Sequence, residues 1–208
     1  MTELTAWSAV DVLAAFRCES AAMALRERGA VVEHVNMVIP RSLVRTASDA
    51  HYGHLFAADL DRATAGRTDE LNPYTRNWLA AIRDAAPPYL AGREAEVEIA
   101  DRLGPVLAEY DALMCPAFAV PAFTAGTDHT VVPFTLDGLE LDTFHDLGLT
   151  EVFNAVNRCP VLCVPAGRAA SGVPIGVQIA GRTMEDATVF RIGAALEAVQ
   201  PWPLVAPL

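Results

Sequence analysis

The cysteine, histidine and serine side chains that could serve a nucleophile-and-base pair are few: four cysteines, five histidines and the serines Ser8, Ser20, Ser42, Ser48 and Ser171. All 15 basic residues are arginine and lysine is absent, so no step that needs a lysine base or Schiff base can be carried by these residues. Cys159 and Cys163 are four apart on a predicted strand, which sets them roughly 13 Å apart on one face. That is too far for a disulfide or a shared metal ion, so both are expected in the core as small apolar side chains. Cys115, just before Pro116, is the better thiol. Paired with His129 or His145 it would make a nucleophile and base, although nothing in the spacing requires that pairing. His51 and His54, three apart on a predicted helix with Asp59 nearby, could reach one metal ion but lack a third ligand at a recognisable offset. Asp128-His129 in a loop is weaker still. No glycine-rich phosphate loop, G-x-S-x-G elbow or H-E-x-x-H helix occurs, so neither a cofactor nor a metal is called for.

The composition narrows the partners. Apolar residues make up 52% and the net charge is −11, from 26 acidic and 15 basic residues. So acidic a chain is a poor phosphate binder, which argues against nucleic acid. No apolar run has the length of a membrane span. The opening MTELTAWSAV has neither a basic start nor a long apolar stretch, and four cysteines without a secretion signal fit a reducing cytoplasm.

The elements that would position these residues alternate. Residues 8 to 28 predict a helix with Val12, Phe16 and Met23, beside Leu13 and Ala24, on its apolar stripe, stopped by Gly29. The β-branched run at 30 to 39 predicts a strand closed by Pro40. Residues 42 to 84 predict helices interrupted at 65 to 73, with Pro73 at a helix start after Asn72. Residues 93 to 109 predict another helix, kinked or divided at Pro105. A strand follows at 112 to 117, then a hairpin around Asp137-Gly138 and a short helix at 149 to 157. Two apolar strands, 160 to 167 and 173 to 181, are joined by a turn. A last helix is predicted from a Thr183/Asp186 capping box, with Val189, Ile192, Leu196 and Val199 on one face. This is an α/β pattern, a mixed β-sheet flanked by helices, read as one domain over 1–208. Its parts are a helix-strand unit at 1–40, a mainly helical segment at 41–109 and a sheet-forming part at 110–208.

The ordered string Pro160, Val164-Pro165-Ala166-Gly167, Gly172-Val173-Pro174-Ile175-Gly176-Val177-Gln178 and a late helical Glu197 resembles the C-terminal end of the amidase signature family. Tyr110 to Pro116 looks like that family's D-x-(apolar)-x-x-P strand, and LRERGAVVEHVN like its L-x-x-x-G-A-x-V unit. Two positions depart from the pattern. Arg158 stands where the family commonly has glycine, and Asn154 and Asn157 straddle its usual asparagine.

The resemblance implies amide hydrolysis by two serines and a lysine, carried in the N-terminal half of such enzymes. That leaves no catalytic residue in this chain. It implies strands at 112–116, 160–165 and 174–180 inside one larger sheet, with Phe118, Phe123 and Asn154 as candidates for lining a substrate pocket. On this reading the chain is a truncated C-terminal portion, inactive alone. Its expected partner is a separate N-terminal amidase half or a second copy of itself, and a small amide is a substrate only of the complete enzyme. A competing reading is a non-catalytic remnant or interaction module of amidase fold, with self-association through open sheet edges. A third is a stand-alone thiol hydrolase using Cys115.

Overall fold

A computed structural model describes residues 12–123, 125–127, 132–136, 138–141 and 144–202. Helix α1 spans Val12–Arg26, α2 Arg41–His51, α3 Ala57–Ala63, α4 Pro73–Ala85, α5 Tyr89–Glu109, α6 Glu151–Val156 and α7 Asp186–Val199. Strands are β1 Ala112–Pro116, β2 Phe134–Leu136, β3 Leu139–Leu141, β4 Val161–Arg168 and β5 Pro174–Gly181. The main sheet has the order β1-β5-β4, and both pairings are antiparallel. The expected hairpin forms from β2 and β3, with Gly138 at φ +79° supplying the left-handed turn residue.

The central strand β5 is buried on both faces, which its continuous apolar run allows. Val177 and Ile179 face a layer made by α1 and α7, packed against Ala21, Ala24, Leu25, Val189 and Leu196. Ala180 faces the opposite layer, where Cys115 and residues of α2, α5 and α6, among them Val44, Ile99, Leu103, Val152 and Phe153, form a second core. A third cluster joins Ala119 and Val120 to the hairpin and to Leu147 and Leu149. On α7, Val189 and Leu196 are buried, and Ile192 and Val199 partly so, as the spacing predicts.

Several expectations need correction. Residues 30 to 39 take no regular secondary structure and join no sheet. Among the described residues no strand pairs with them, and three side chains hold the segment instead. Arg26 Nη2 donates to the Val32 carbonyl, Arg102 Nη1 to that of Val38 at 3.1 Å, and the Tyr110 hydroxyl to Glu33 at 2.7 Å. On α1 the buried stripe is small, Ala21, Ala24 and Leu25, while Phe16 and Met23 point outward, 57% and 45% exposed. Alanines let the helix lie close on the sheet. Helix α5 starts at Tyr89 and runs unbroken through Pro105 to Glu109. Pro105 has no N–H, so the Asp101 carbonyl goes without its helical donor while the helix continues four residues to Glu109. The Thr183 capping box does not form. Met184 takes φ +65°, Glu185 becomes the residue before α7, and the Thr183 side chain hydrogen-bonds to the Cys159 thiol. By contrast, Asn72 caps α4 as Pro73 at its start suggests, its Oδ1 accepting from Thr75 N at 2.8 Å. The two outer strands of this sheet among the described residues are β1 and β4.

Candidate functional site

The residues nominated from sequence fall in two places. Phe118 and Phe123 lie together past the end of β1, ring centroids 6.2 Å apart, with Phe118 half-buried and Phe123 41% exposed. Asn154 is on the exposed side of α6. Between them runs the segment 144–150, tied to the Phe118 loop by a 2.8 Å bond from Ala119 N to the Leu147 carbonyl.

That segment forms one wall of a small recess, about 20 Å³, with room for roughly one water molecule. Its other walls are α2 and α6, and its polar lining is Arg41, Arg45, His145, Asp146 and Glu151. Arg41 and Arg45, one turn apart on α2, both reach Asp146, at 3.9 and 3.6 Å. Arg45 also faces Asp49 at 3.7 Å, and His145 Nδ1 lies 3.3 Å from Glu151 Oε1. Burial pushes the Asp49 carboxyl up, Arg45 opposes this, and Glu151 adds to the rise. Tyr52 is raised for related reasons, burial first and then the nearby Glu151 and Asp49.

Tyr52 connects the recess to an aromatic group on a single π-helical turn, Tyr52–Phe56, between α2 and α3. Its ring is 6.0 Å from His145 and 5.8 Å from Trp78, and Trp78 is 5.5 Å from Phe56. Such turns insert one residue into a helix and re-aim the side chains around it.

Sequence reasoning missed the recess. It weighed His145 only as a base for Cys115. The signal was an Arg-x-x-x-Arg pair on one helix face and His145-Asp146 five residues before Glu151, charges that an otherwise apolar stretch would bury only in pairs.

The other sequence candidates are placed elsewhere. His51 bonds to the buried Glu96, which also accepts from Arg93, and His54 bonds to the Pro87 carbonyl at 2.8 Å. Those two histidines therefore brace helices, and no group of three metal-ligating side chains occurs among the described residues. Cys115 is buried in the core, 8% exposed, which is poor access for a nucleophile. Cys163 is exposed and Cys159 half-buried, against the expectation that both lie in the core. Cys163 lies on the same sheet face as Cys115 and Gln178, and at edge strand β4 it stays exposed. Asp128-His129 lies outside the described residues.

The sequence profile of the Amidase family matches residues 5–190. The chain belongs to the amidase signature family. Amide hydrolysis is the chemistry of that family. The chain is 39% identical over 95 residues to an acylamidase from Rhodococcus erythropolis, covering 45% of this chain and 19% of that one. It is 30% identical over 116 residues to a glutamyl-tRNA(Gln) amidotransferase component from Thermosynechococcus vestitus, covering 55% and 22%. The fold matches a bacterial aryl acylamidase of the amidase signature family with a TM-score of 0.79 at 22% identity, covering 96% of this chain and 44% of that one. The matched stretch is thus about a fifth of those curated relatives and less than half of that solved structure. No helix among the described residues is long and apolar enough to cross a membrane.

Proposed function

We propose that this chain is the C-terminal portion of an amidase-signature amide hydrolase, inactive alone, and that polypeptide outside these 208 residues carries the Ser-Ser-Lys machinery. The observation that carries this reading is the free edge of β4 in a fold that spans 44% of its solved relative. Six of the eight residues of β4 pair on one side with β5, and on one face of the strand Val161, Cys163 and Pro165 are exposed. Neighbouring β5 residues on the same face, Gln178 and Ala180, are buried. An apolar strand edge of this length is a ready template for another strand. The complete absence of lysine supports the same division of labour. On this reading Phe118, Phe123 and Asn154 line the acyl side of a pocket completed by the other portion, and the substrate is a small amide.

The test is gentle purification of the tagged chain from its own cells. A stoichiometric partner carrying a Gly/Ser-rich segment and a lysine is expected, with amide hydrolysis by the pair and none by the chain alone. Hydrolysis by the pure chain sinks the proposal. Recovery of the chain alone, or only with copies of itself, sinks it too and leaves the non-catalytic remnant or interaction module as the reading that stands.

A further inference from the structure

Helix α7 is apolar on two faces. Among its residues only Asp186, Arg191 and Glu197 are charged. Its inner face, with Val189 and Leu196, is spent on the sheet. Its outer face carries Ala187, Phe190, Ala194 and Ala198, all exposed, Phe190 to 64%. Steps of three, four and four residues put them on one stripe. In the same layer α1 turns Phe16 and Met23 outward. A surface helix ordinarily sets polar residues opposite its buried stripe, and an apolar patch left outside marks a contact with another molecule.

The sheet shows where that contact does not lie. Helix α7 packs on the face that carries Leu162, Val164 and Val177, whereas Cys163 and the exposed row of β4 are on the other face. A polypeptide that extends the sheet past β4, or packs on that open row, leaves the outside of α7 bare.

The order of residues along the stripe selects its occupant. Ala194 is the midpoint. Arg191 stands three residues before it and Glu197 three after, Phe190 four before and Ala198 four after. A twofold axis through Ala194 that sets two α7 helices antiparallel therefore brings Phe190 of each copy level with Ala198 of the other. It also brings each Arg191 level with Glu197 of the other copy. Alanine at the axis lets the two backbones approach closely. Arg191 gives one N–H to the Thr188 hydroxyl at 3.0 Å, and among the described residues neither Arg191 nor Glu197 has an ion-pair partner. At a net charge of −11 most of this surface repels a second copy. This stripe is an exception, offering one cation and one anion at matching distances from its centre.

We propose that two copies of this chain pair through antiparallel α7 helices, with Ala194 at the twofold axis. Two helices about 20 Å long and about 10 Å apart present a face about 20 Å square. That is small for a specific interface, so the association is micromolar rather than tighter. The pairing does not depend on the amide-hydrolase reading, and a complementing polypeptide meets each copy on the other side of the sheet.

Sedimentation velocity of the full chain, from about 1 to about 200 µM, is expected to show a monomer–dimer equilibrium. Phe190→Asp should raise the dimer Kd by about a hundredfold or more. Because Phe190 is already exposed, its melting temperature should stay that of the parent. Arg191→Glu and Glu197→Arg each put like charges together and should weaken pairing by about tenfold. The double variant restores opposite charges and should return to within about threefold of the parent. That rescue is the mark of this register, since the two residues lie too far apart on one helix to pair within a copy. Cys163 should label at the same rate in monomer and dimer. A monomer throughout the range, a dimer indifferent to Phe190→Asp, single charge variants that pair as well as the parent, or a double variant without rescue would each overturn the proposal. So would a Cys163 rate slowed by dimerisation, which would put the contact at β4. No hydrolysis is measured, so loss of the proposed function leaves the pairing standing, and failure of the pairing leaves that function untouched.

Discussion

Gln178, 1% exposed, donates from Nε2 to the carbonyl oxygen of Pro116 across 3.0 Å, while its Oε1 is buried without a hydrogen-bond partner. The pairing places it between Cys163 on β4 and Cys115 on β1, in the middle of the sheet. Gln178→Leu removes the bond and strands the Pro116 carbonyl, but it also removes the unmet Oε1. Its cost should be about 1 kcal/mol. Gln178→Glu sets a carboxylate against a carbonyl in the same buried place and should cost about 3 kcal/mol or more. Urea unfolding of the three proteins checks the order. Equal stability for Leu and Glu would show that the site is wet.

Gly92 on α5 meets α2 at close range. A Cβ there would lie 2.2 Å from the Cβ of Ala50, which has no side-chain freedom to yield. Gly92→Ala should destabilise by about 2 kcal/mol through overpacking. Adding Ala50→Gly should recover most of that loss, since the double variant exchanges the methyl group across the contact. Denaturation midpoints of the single and double variants measure the coupling, and an additive pair would mean that the helices simply move apart.

What was legible in the sequence was whatever local pattern or turn chemistry decides. The VPAG and GVPIGVQIAG runs gave β4 and β5, Gly138 gave the hairpin turn, Asn72-Pro73 gave a helix start, and Val189 and Leu196 gave the buried face of α7. Failures came where a neighbour decides. The run at 30 to 39 has strand-forming residues, but without an adjacent strand it has no ladder to join. The α1 stripe was read from its large residues, while the close approach of helix to sheet selected alanines. The recess escaped because its charges come from α2, a turn and α6, about 100 residues apart in the chain, and pattern reading along one element does not gather them.

Asp49 offers a stability test against pH. Its carboxyl is raised above 3.8, chiefly by burial, with Arg45 opposing. A raised folded-state value means that the folded protein binds the proton more tightly than the unfolded chain does. The stability this contributes is full below 3.8 and is lost as pH rises through the folded value. Asp49→Asn should therefore melt higher than the parent at neutral pH, with the difference shrinking as pH falls through that acid window. Melting curves from mildly acidic to neutral pH decide it. A variant that melts lower at neutral pH would show that the contact with Arg45 outweighs burial.

Thiol reactivity reports on the open edge of β4. Cys163 is exposed, Cys159 and Cys18 are half-buried and Cys115 is buried, the Cys18 thiol pushed up to about 11 by burial and then by Glu19. Partial shielding of the Cys163 sulfur raises its thiol as well, so labelling is best followed at mildly alkaline pH. Cys163 should react first, Cys159 next, Cys18 more slowly because its thiol is raised, and buried Cys115 on the timescale of opening. If a complementing polypeptide extends the sheet past β4 and packs on the exposed face of that strand, it covers Cys163. Labelling there should then slow by about tenfold or more in the complex, while Cys18 on the far face of the sheet keeps its rate. Mass spectrometry of timed samples resolves the sites. A Cys163 rate unchanged by a bound partner would show that the partner does not pack on this face of β4.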